Sequence, residues 1–163
     1  MTEHPAPVTL YDWFDRSADR YADRPALEVG DATLSSRELR QAAAAIAQLI
    51  TARTATPARV GLMASRSLTA YAGHLAILRT GATVVPLNPD FPTARTAAMV
   101  QATELELIIT DRPGMTVGST PVLFVDPAGD RDQSAPETEL PLATADVDDV
   151  AYIIFTSGST GRP

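Results

Sequence analysis

The sequence predicts an α/β fold in which βαβ units form a mostly parallel sheet flanked by helices. Short, apolar, β-branched segments alternate with helical segments of about 10 to 15 residues, which is the pattern of parallel sheets. The chain has 163 residues, of which 45% are hydrophobic, so it can build a substantial buried core. We therefore expect a single packed unit rather than a disordered chain.

A helix and a hairpin are predicted first in the chain. Apolar residues recur at helical spacing over residues 9–22 and predict an amphipathic helix. In that helix Trp13 and Tyr21 are interpreted as core or interdomain anchors rather than as ligand-binding side chains. Two short apolar segments around a Gly-Asp turn then predict a hairpin, with strands at Ala26–Val29 and Ala32–Leu34.

A longer helix is predicted from Ser36 to Ala52. Ser35 and Glu38 have the Ser-x-x-Glu spacing of a capping box, in which each side chain binds the other residue's backbone N–H. The alanine run at 42–45 has high helix propensity. The start of this helix is therefore well marked in the sequence.

The alternating part begins at Arg59. Strands are predicted at Arg59–Met63, Thr83–Leu87, Glu106–Thr110, Val122–Val125 and Ala151–Phe155. Helices are predicted between the first three of them, at Leu68–Arg79 and Thr93–Ala102, and Gly81 is placed to end the first. Between the helices, the proline-rich loop at 86–92 is interpreted as a rigid turn.

Charge and composition exclude several classes of function. The net charge of the whole chain is −7. Residues 126–149 alone carry a charge of −7, because eight acidic residues accompany one arginine there, and we interpret this stretch as a solvated linker within a domain. No basic patch suggests nucleic acid as a partner. There is no cysteine and no histidine pair at metal-ligand spacing, so no metal site is predicted. No membrane span or signal peptide is visible, and a cytoplasmic location is expected.

The segment after the last predicted strand carries the strongest indication of function. It contains only glycine and hydroxylated residues, namely Thr156, Ser157, Gly158, Ser159, Thr160 and Gly161. Glycines allow a ligand to approach the backbone closely, successive N–H groups form anion sites, and hydroxyls can reach phosphate oxygens or Mg²⁺. Ligands of open α/β sheets bind beyond the carboxyl ends of strands, where this loop is predicted.

Three alternative interpretations agree less well with this segment. A flexible Gly/Ser/Thr tail would have the same composition, although the strand directly before it argues against that. A Walker loop requires a lysine, and all thirteen basic residues of the chain are arginine. A dinucleotide fingerprint requires three spaced glycines, of which only Gly158 and Gly161 match.

Three segments resemble the adenylate-forming superfamily. Tyr152–Pro163 resembles its phosphate-loop signature, which continues through Gly-[Arg/Lys/Asn]-Pro-Lys-Gly. Leu34–Leu39 resembles the early Leu-Thr-Tyr-x-Glu-Leu motif, with Ser36 in place of the aromatic residue. Leu75–Pro92 resembles Leu-Ala-x-Leu-Lys-Ala-Gly-x-x-Tyr-Val-Pro-Leu-Asp-Pro-x-Tyr-Pro and, with the following Ala94-Arg95, is most similar to amino-acid-activating adenylation domains.

The resemblance implies what the chain does. It implies ATP and Mg²⁺ as ligands, with Thr156 to Gly161 contacting the β- and γ-phosphates, and a carboxylate, here an amino acid, as the group activated to acyl-AMP. A thiol on a carrier protein is the implied acceptor. None of these residues is a nucleophile or a base, so no catalytic residue is predicted.

Residues 1–163 correspond, by this resemblance, to the N-terminal part of the large domain. The phosphate-loop lysine and the C-terminal domain of the family have no counterpart in the sequence. The implied partner is therefore the remainder of the same enzyme, and the chain alone is expected to be inactive. Two alternatives stay open: a non-catalytic binding or assembly module, and part of an acyl-CoA synthetase.

Overall fold

The structure is a computed structural model, and it describes residues 9–55, 58–126 and 145–156. The element types and their order confirm the predicted α/β architecture; ten of the eleven predicted elements are present, and none of their ends differs from its predicted position by more than two residues. In chain order the elements are α1 (Leu10–Arg20), β1 (Pro25–Val29), β2 (Ala32–Ser35), α2 (Ser36–Arg53), β3 (Arg59–Met63), α3 (Leu68–Arg79), β4 (Thr83–Pro86), α4 (Thr93–Thr103), β5 (Leu107–Thr110) and β6 (Val122–Phe124).

Strands β3 to β6 form a four-stranded sheet in the order β4-β3-β5-β6, and all its neighbours are parallel. Val60 on β3 lies beside Val84 on β4 and beside Leu107 on β5. The chain moves outward from β3 to β4 and then returns past β3 to β5. Because both crossovers are expected to be right-handed, these opposite directions place α3 and α4 on opposite faces of the sheet.

The two faces of the sheet have separate buried clusters. The first cluster joins α2 and α3 to one face, and its central members are Ile46, Ile50, Val60, Leu62, Ile77, Val84, Leu107 and Ile109. The second cluster joins α4 to the other face and consists of Met63, Val85, Leu87, Met99, Leu105, Ile108 and Val117. Successive strand residues alternate between the clusters, as the two-residue period of a strand requires. The sheet is thus covered on both sides, as expected for parallel strands.

Local signals in the sequence account for the element ends. The predicted capping box of α2 is present: the Ser35 side chain accepts from the Glu38 N–H and the Glu38 carboxylate accepts from the Ser35 N–H. Helix α1 starts with an equivalent box formed by Thr9 and Asp12. Gly81 follows α3 with φ of 76°, a conformation that favours glycine at a helix end.

The predicted final strand at Ala151–Phe155 is replaced by a single parallel bridge between Tyr152 and Val84. The physical reason lies in β4. The next bond of the ladder would need an N–H from residue 86, and Pro86 has none. The segment is therefore attached to the edge of the sheet without extending it by a full strand.

Trp13 and Tyr21 are not core residues of the described structure. Their side chains are 56% and 39% exposed, whereas α1 is attached to the protein through Tyr11 and Phe14. The Tyr11 hydroxyl accepts a hydrogen bond of 2.7 Å from Nη1 of Arg79 on α3. Within the described ranges, no helix has both the length and the apolar character that crossing a membrane requires.

Candidate functional site

The segment that leads to the candidate site lies along the outer edge of β4. The Val84 N–H donates to the Ala151 carbonyl over 2.9 Å, and the Ile153 N–H donates to the Val84 carbonyl over 2.9 Å. The Thr83 hydroxyl adds a bond of 2.7 Å to the Val150 carbonyl. Because the segment is parallel to β4, the chain leaves it at the edge where all strands have their carboxyl ends.

Alternating side chains fix the orientation of this segment. Ile153 and Phe155 pack against the second buried cluster, on the α4 side of the sheet. Tyr152 and Ile154 lie on the other side and are 51% and 62% exposed. The packing of Phe155 thus determines where the following residue, Thr156, begins.

The structure places one of the six predicted phosphate-binding residues. Thr156 is exposed and follows the segment along β4 at the carboxyl end of the sheet, and its part in phosphate binding stays a prediction. The other five, Ser157, Gly158, Ser159, Thr160 and Gly161, lie outside the described residues. Their part in the site remains a prediction.

The loop after β4 lies at the same end of the sheet. The Asn88 side chain accepts from the Asp90 N–H over 2.9 Å, which closes a local turn. Arg112, which follows β5, donates to the Asp90 carboxylate over 2.9 Å and to the Pro89 carbonyl over 3.3 Å. These bonds connect the loop after β4 to the end of β5, which is two strands away in the sheet. They agree with the interpretation of this loop as a structural turn.

Phe91 and Arg95 form a stacked pair beside this loop. The guanidinium carbon of Arg95 lies 4.0 Å from the centre of the Phe91 ring. Phe91 itself packs against the second cluster together with Ile153 and Phe155. From the sequence, Phe91 belongs to the predicted rigid turn and Arg95 to the family resemblance, and neither was predicted to be a site residue. The sequence signal that could have predicted this stack is an aromatic residue four positions before an arginine at the start of a helix.

The sequence order of the strands reverses between β3 and β5, and polar groups there bind one another. The Ser67 hydroxyl, at the start of α3, donates to the Asp111 carboxylate after β5. The Thr110 hydroxyl donates to the Met63 carbonyl over 2.9 Å. These side chains join neighbouring strand ends, so their bonds are structural.

Two described groups, His74 on α3 and Tyr11 on α1, have shifted pKa values. His74 on α3 is half-buried, and burial lowers its pKa below the ordinary value of 6.5. It is therefore expected to be neutral at pH 7, consistent with a packing role. Burial also raises the pKa of Tyr11, on α1. The described residues contain no group of three His, Asp or Glu side chains that could hold a metal ion.

Comparison with known proteins identifies relatives over nearly the whole chain. The chain is 36% identical over 163 residues to the AMB antimetabolite synthetase AmbB of Pseudomonas aeruginosa, covering 98% of this chain and 13% of that protein. It is also 36% identical over 165 residues to tyrocidine synthase 2 of Brevibacillus parabrevis, covering 98% of this chain and 4% of that protein. The chain thus spans a small part of the length of these relatives.

Solved structures share the fold. A crystal structure of IdnL7 matches with a TM-score of 0.74 and 35% identity, over 93% of this chain and 33% of that one. The N-terminal subdomain of Klebsiella oxytoca NpsA, in complex with 3-hydroxybenzoyl-AMSN, matches with a TM-score of 0.76 and 28% identity, over 95% of this chain and 39% of that one.

Two further solved structures share the fold, one with AMPPNP bound and one with a fused second domain. The AMPPNP-bound form of the nonribosomal peptide synthetase FmoA3 matches with a TM-score of 0.74 and 25% identity, over 94% of this chain and 17% of that one. An artificially fused adenylation–PCP di-domain, NpsA-ThdA from Klebsiella oxytoca, matches with a TM-score of 0.66 and 26% identity, over 71% of this chain and 22% of that one.

A family model described as AMP-binding enzyme matches residues 14–163. The match covers both buried clusters, the parallel sheet and the segment along β4. This chain therefore belongs to the AMP-binding enzyme family.

Proposed function

We propose that this chain is the N-terminal part of an adenylate-forming ligase, which activates a carboxylate as acyl-AMP and releases pyrophosphate. The observation that carries the proposal is the attachment of residues 151–155 to β4, which directs Thr156 beyond the carboxyl edge of a buried parallel sheet. The family membership and the AMPPNP-bound relative support ATP as the nucleotide. The peptide synthetases among the relatives favour an amino acid as the carboxylate.

The chemistry requires little from the protein besides binding and polarisation. A carboxylate oxygen of the substrate attacks the α-phosphorus of ATP and forms a new P–O bond. The bond from the α-phosphorus to the oxygen bridging to the β-phosphate breaks, and pyrophosphate leaves with the electron pair. Hydrogen bonds from the residues 156–161 would stabilise negative charge on the leaving pyrophosphate. Mg²⁺ would neutralise part of the phosphate charge.

The described residues fit a phosphate-binding role. Thr156 is an exposed residue at the carboxyl end of the sheet, beside β4, and its hydroxyl can donate to a phosphate oxygen. Phe155 and Ile153 fix the start of the loop by packing in the second cluster. A loop whose starting point is fixed loses less conformational entropy when it closes around a ligand.

We further propose that residues 1–163 are one part of an AMP-binding adenylation domain, with the acidic linker 126–149 inside it. Its main partner is then the remainder of the same enzyme. The small share of the relatives that the chain covers supports this, and the fused adenylation–PCP structure supports a carrier protein as the later acceptor of the acyl group.

The test is ATP–pyrophosphate exchange by the full-length polypeptide that contains this sequence. A panel of amino, aryl and fatty acids should produce exchange with at least one amino acid. Exchange with a fatty acid alone would instead support an acyl-CoA synthetase. Absence of both exchange and ATP binding would contradict the proposal and favour a non-catalytic module.

Substitution tests the assigned loop directly. Ser157→Ala and Thr160→Ala should lower the exchange rate, since losing one donor to developing charge costs on the order of 10²-fold. Ser119→Ala is the matched control, because Ser119 is an exposed hydroxyl in the loop before β6. If all three variants kept the exchange rate of the unsubstituted protein, the assignment of phosphate binding to residues 156–161 would be wrong.

A further inference from the structure

The side chain of Thr83 connects the start of β4 to the chain that leads to the candidate loop. Its hydroxyl donates to the carbonyl of Val150 over 2.7 Å. Thr83 is the first residue of β4, where it pairs with Arg59 of β3, and its N–H donates to the Ala58 carbonyl over 2.9 Å. The hydroxyl therefore attaches Val150 to a residue that the inner strand β3 already fixes.

The carbonyl that Thr83 binds comes directly after a closed turn. The Asp149 N–H donates to the Asp146 carbonyl over 3.1 Å, and the Asp146 N–H donates to the Asp149 carboxylate over 2.8 Å. The Asp148 N–H adds a bond of 3.1 Å to the Asp146 carboxylate. Val150 is thus the first residue after this turn, and the Thr83 bond marks where the path along β4 begins.

Backbone pairing specifies the register of the segment along β4 only weakly. Residues 151–155 form one bridge to β4 rather than a ladder. Apolar residues occupy positions 151, 153 and 155, so a slide by two residues toward the carboxyl end of the sheet would still direct apolar side chains at the second cluster. Such a slide would displace Thr156 by about 7 Å. A fixed position for Thr156 therefore requires a further contact.

The bond from Thr83 opposes this slide. A slide by two residues toward the carboxyl end would put Asp148 in the place of Val150 beside Thr83. Asp148 lies inside the closed turn, where the chain is not extended, so the Thr83 hydroxyl would lose its acceptor. The register in which Ile153 and Phe155 pack against the second cluster is the one that keeps this bond.

We propose that Thr83 is a positioning residue for the candidate phosphate loop. Its hydroxyl fixes Val150 beside the start of β4, so that Thr156, six residues later, begins the loop at one place. Thr83 stands at a variable position of the resembled motif Gly-x-x-Tyr-Val-Pro, so the contact is a feature of this sequence rather than of the motif. The inference rests on the proposed function and gives a role in it to a side chain at the opposite end of β4.

The test measures the affinity of the full-length protein for ATP and for AMP in Thr83→Val. Valine keeps the β-branched shape that suits a strand and removes the hydroxyl. Loss of one neutral hydrogen bond should weaken ATP binding about 2- to 10-fold. The affinity for AMP should stay unchanged, because AMP lacks the β- and γ-phosphates that the loop is proposed to bind.

Hydrogen exchange provides a measurement that does not depend on the nucleotide. The amides of residues 150–156 should exchange faster in Thr83→Val, because release of Val150 weakens the neighbouring bond from the Ile153 N–H to the Val84 carbonyl. Thr83→Ser restores a hydroxyl at the same position. It should return both the ATP affinity and the amide exchange toward the values of the unsubstituted protein.

Thr51→Val is the matched control. The Thr51 hydroxyl also donates to a backbone carbonyl, that of Ala47 over 3.1 Å, but it lies on α2 rather than on the sheet. Its removal should leave the ATP affinity and the amide exchange of residues 150–156 unchanged. An equal loss of ATP affinity in Thr51→Val and Thr83→Val would show general destabilisation and would contradict the proposal.

The outcomes distinguish this inference from the proposed function. If the unsubstituted protein binds ATP and catalyses ATP–pyrophosphate exchange, either an unchanged ATP affinity or an unchanged amide exchange in Thr83→Val would overturn the role of Thr83 alone. Equal weakening of ATP and AMP binding, or a loss in Thr83→Ser as large as that in Thr83→Val, would have the same meaning. No ATP binding and no ATP–pyrophosphate exchange by the unsubstituted protein would overturn both.

Discussion

The N–H of Ile153 donates to the carbonyl oxygen of Val84 over 2.9 Å, and this bond fixes the path of the chain to the candidate phosphate loop. Val84 is fully buried at the centre of β4. Residues 152–156 therefore start from a rigid position, although they form one bridge rather than a strand.

Replacing Ile153 by proline should detach the segment from β4. The change removes the donor and leaves the Val84 carbonyl without its partner, which costs about 1–3 kcal/mol of unfolding free energy. Urea unfolding measures that loss, and ATP affinity of the full-length protein should fall as well. Ile154→Pro is the matched control: it imposes the same backbone restriction at an exposed position whose N–H is directed away from β4. Equal losses in the two variants would contradict a special role for the Ile153–Val84 bond.

Replacing Gly61 by alanine should disturb the packing between β3 and the second cluster. An added Cβ would lie 2.8 Å from Cδ1 of Leu105, and 3.1 Å from Cγ1 of Ile108 and Cδ1 of Leu87. Overpacking of this kind costs about 1–3 kcal/mol. Urea unfolding should show that loss.

Gly73→Ala tests whether crowding causes the effect at Gly61. Its Cβ would meet one flexible atom, Cδ1 of Leu62, at 3.0 Å, and alanine gains up to about 1 kcal/mol over glycine inside a helix. The variant should therefore stay near the stability of the unsubstituted protein. A Gly73→Ala loss as large as that of Gly61→Ala would argue against crowding as the cause.

Removing the cap of α2 should weaken the protein. Ser35→Ala deletes the acceptor of the Glu38 N–H, and N-cap substitutions of this kind cost about 1 kcal/mol. The midpoint of thermal unfolding should fall accordingly. Ser119→Ala, an exposed serine outside any helix, should leave it unchanged, and an unaltered midpoint for Ser35→Ala would show that the capping box contributes no stability.

His74 should make stability depend on pH on the acidic side. Burial lowers its pKa in the folded protein, so the unfolded chain binds the proton more readily. The stabilisation is present above the unfolded pKa of 6.5 and is lost as the pH falls through the folded pKa.

The pH effect is measured as the difference in unfolding free energy between the unsubstituted protein and His74→Gln. Taking this difference cancels the titration of the other groups. As the pH falls from 8 toward 5, the unfolding free energy of the unsubstituted protein should fall relative to that of His74→Gln. A difference that stays constant with pH would show that burial of His74 does not affect its titration.

The sequence by itself determined the helices and strands of the described chain except at residues 151–155, where the predicted strand is a single bridge. Ser35 with Glu38 marked the start of α2, Gly81 marked the end of α3, and alternation of strands and helices indicated a parallel sheet. These signals are local, since caps, turns and periodicity depend on residues close together in the chain. The glycine- and hydroxyl-rich segment predicts a phosphate site from sequence alone, and this stays a prediction, since Thr156 is its one residue among those that the structure describes.

Only the tertiary structure decided how distant segments meet. It showed that residues 151–155 lie beside β4, that Pro86 stops their pairing after one bridge, and that Trp13 is exposed rather than buried. It also revealed the buried Nε of Arg95 beside Phe91. Strand neighbours, exposure and unsatisfied donors depend on contacts between residues far apart in the chain, and a pattern read along one sequence contains no measure of those contacts.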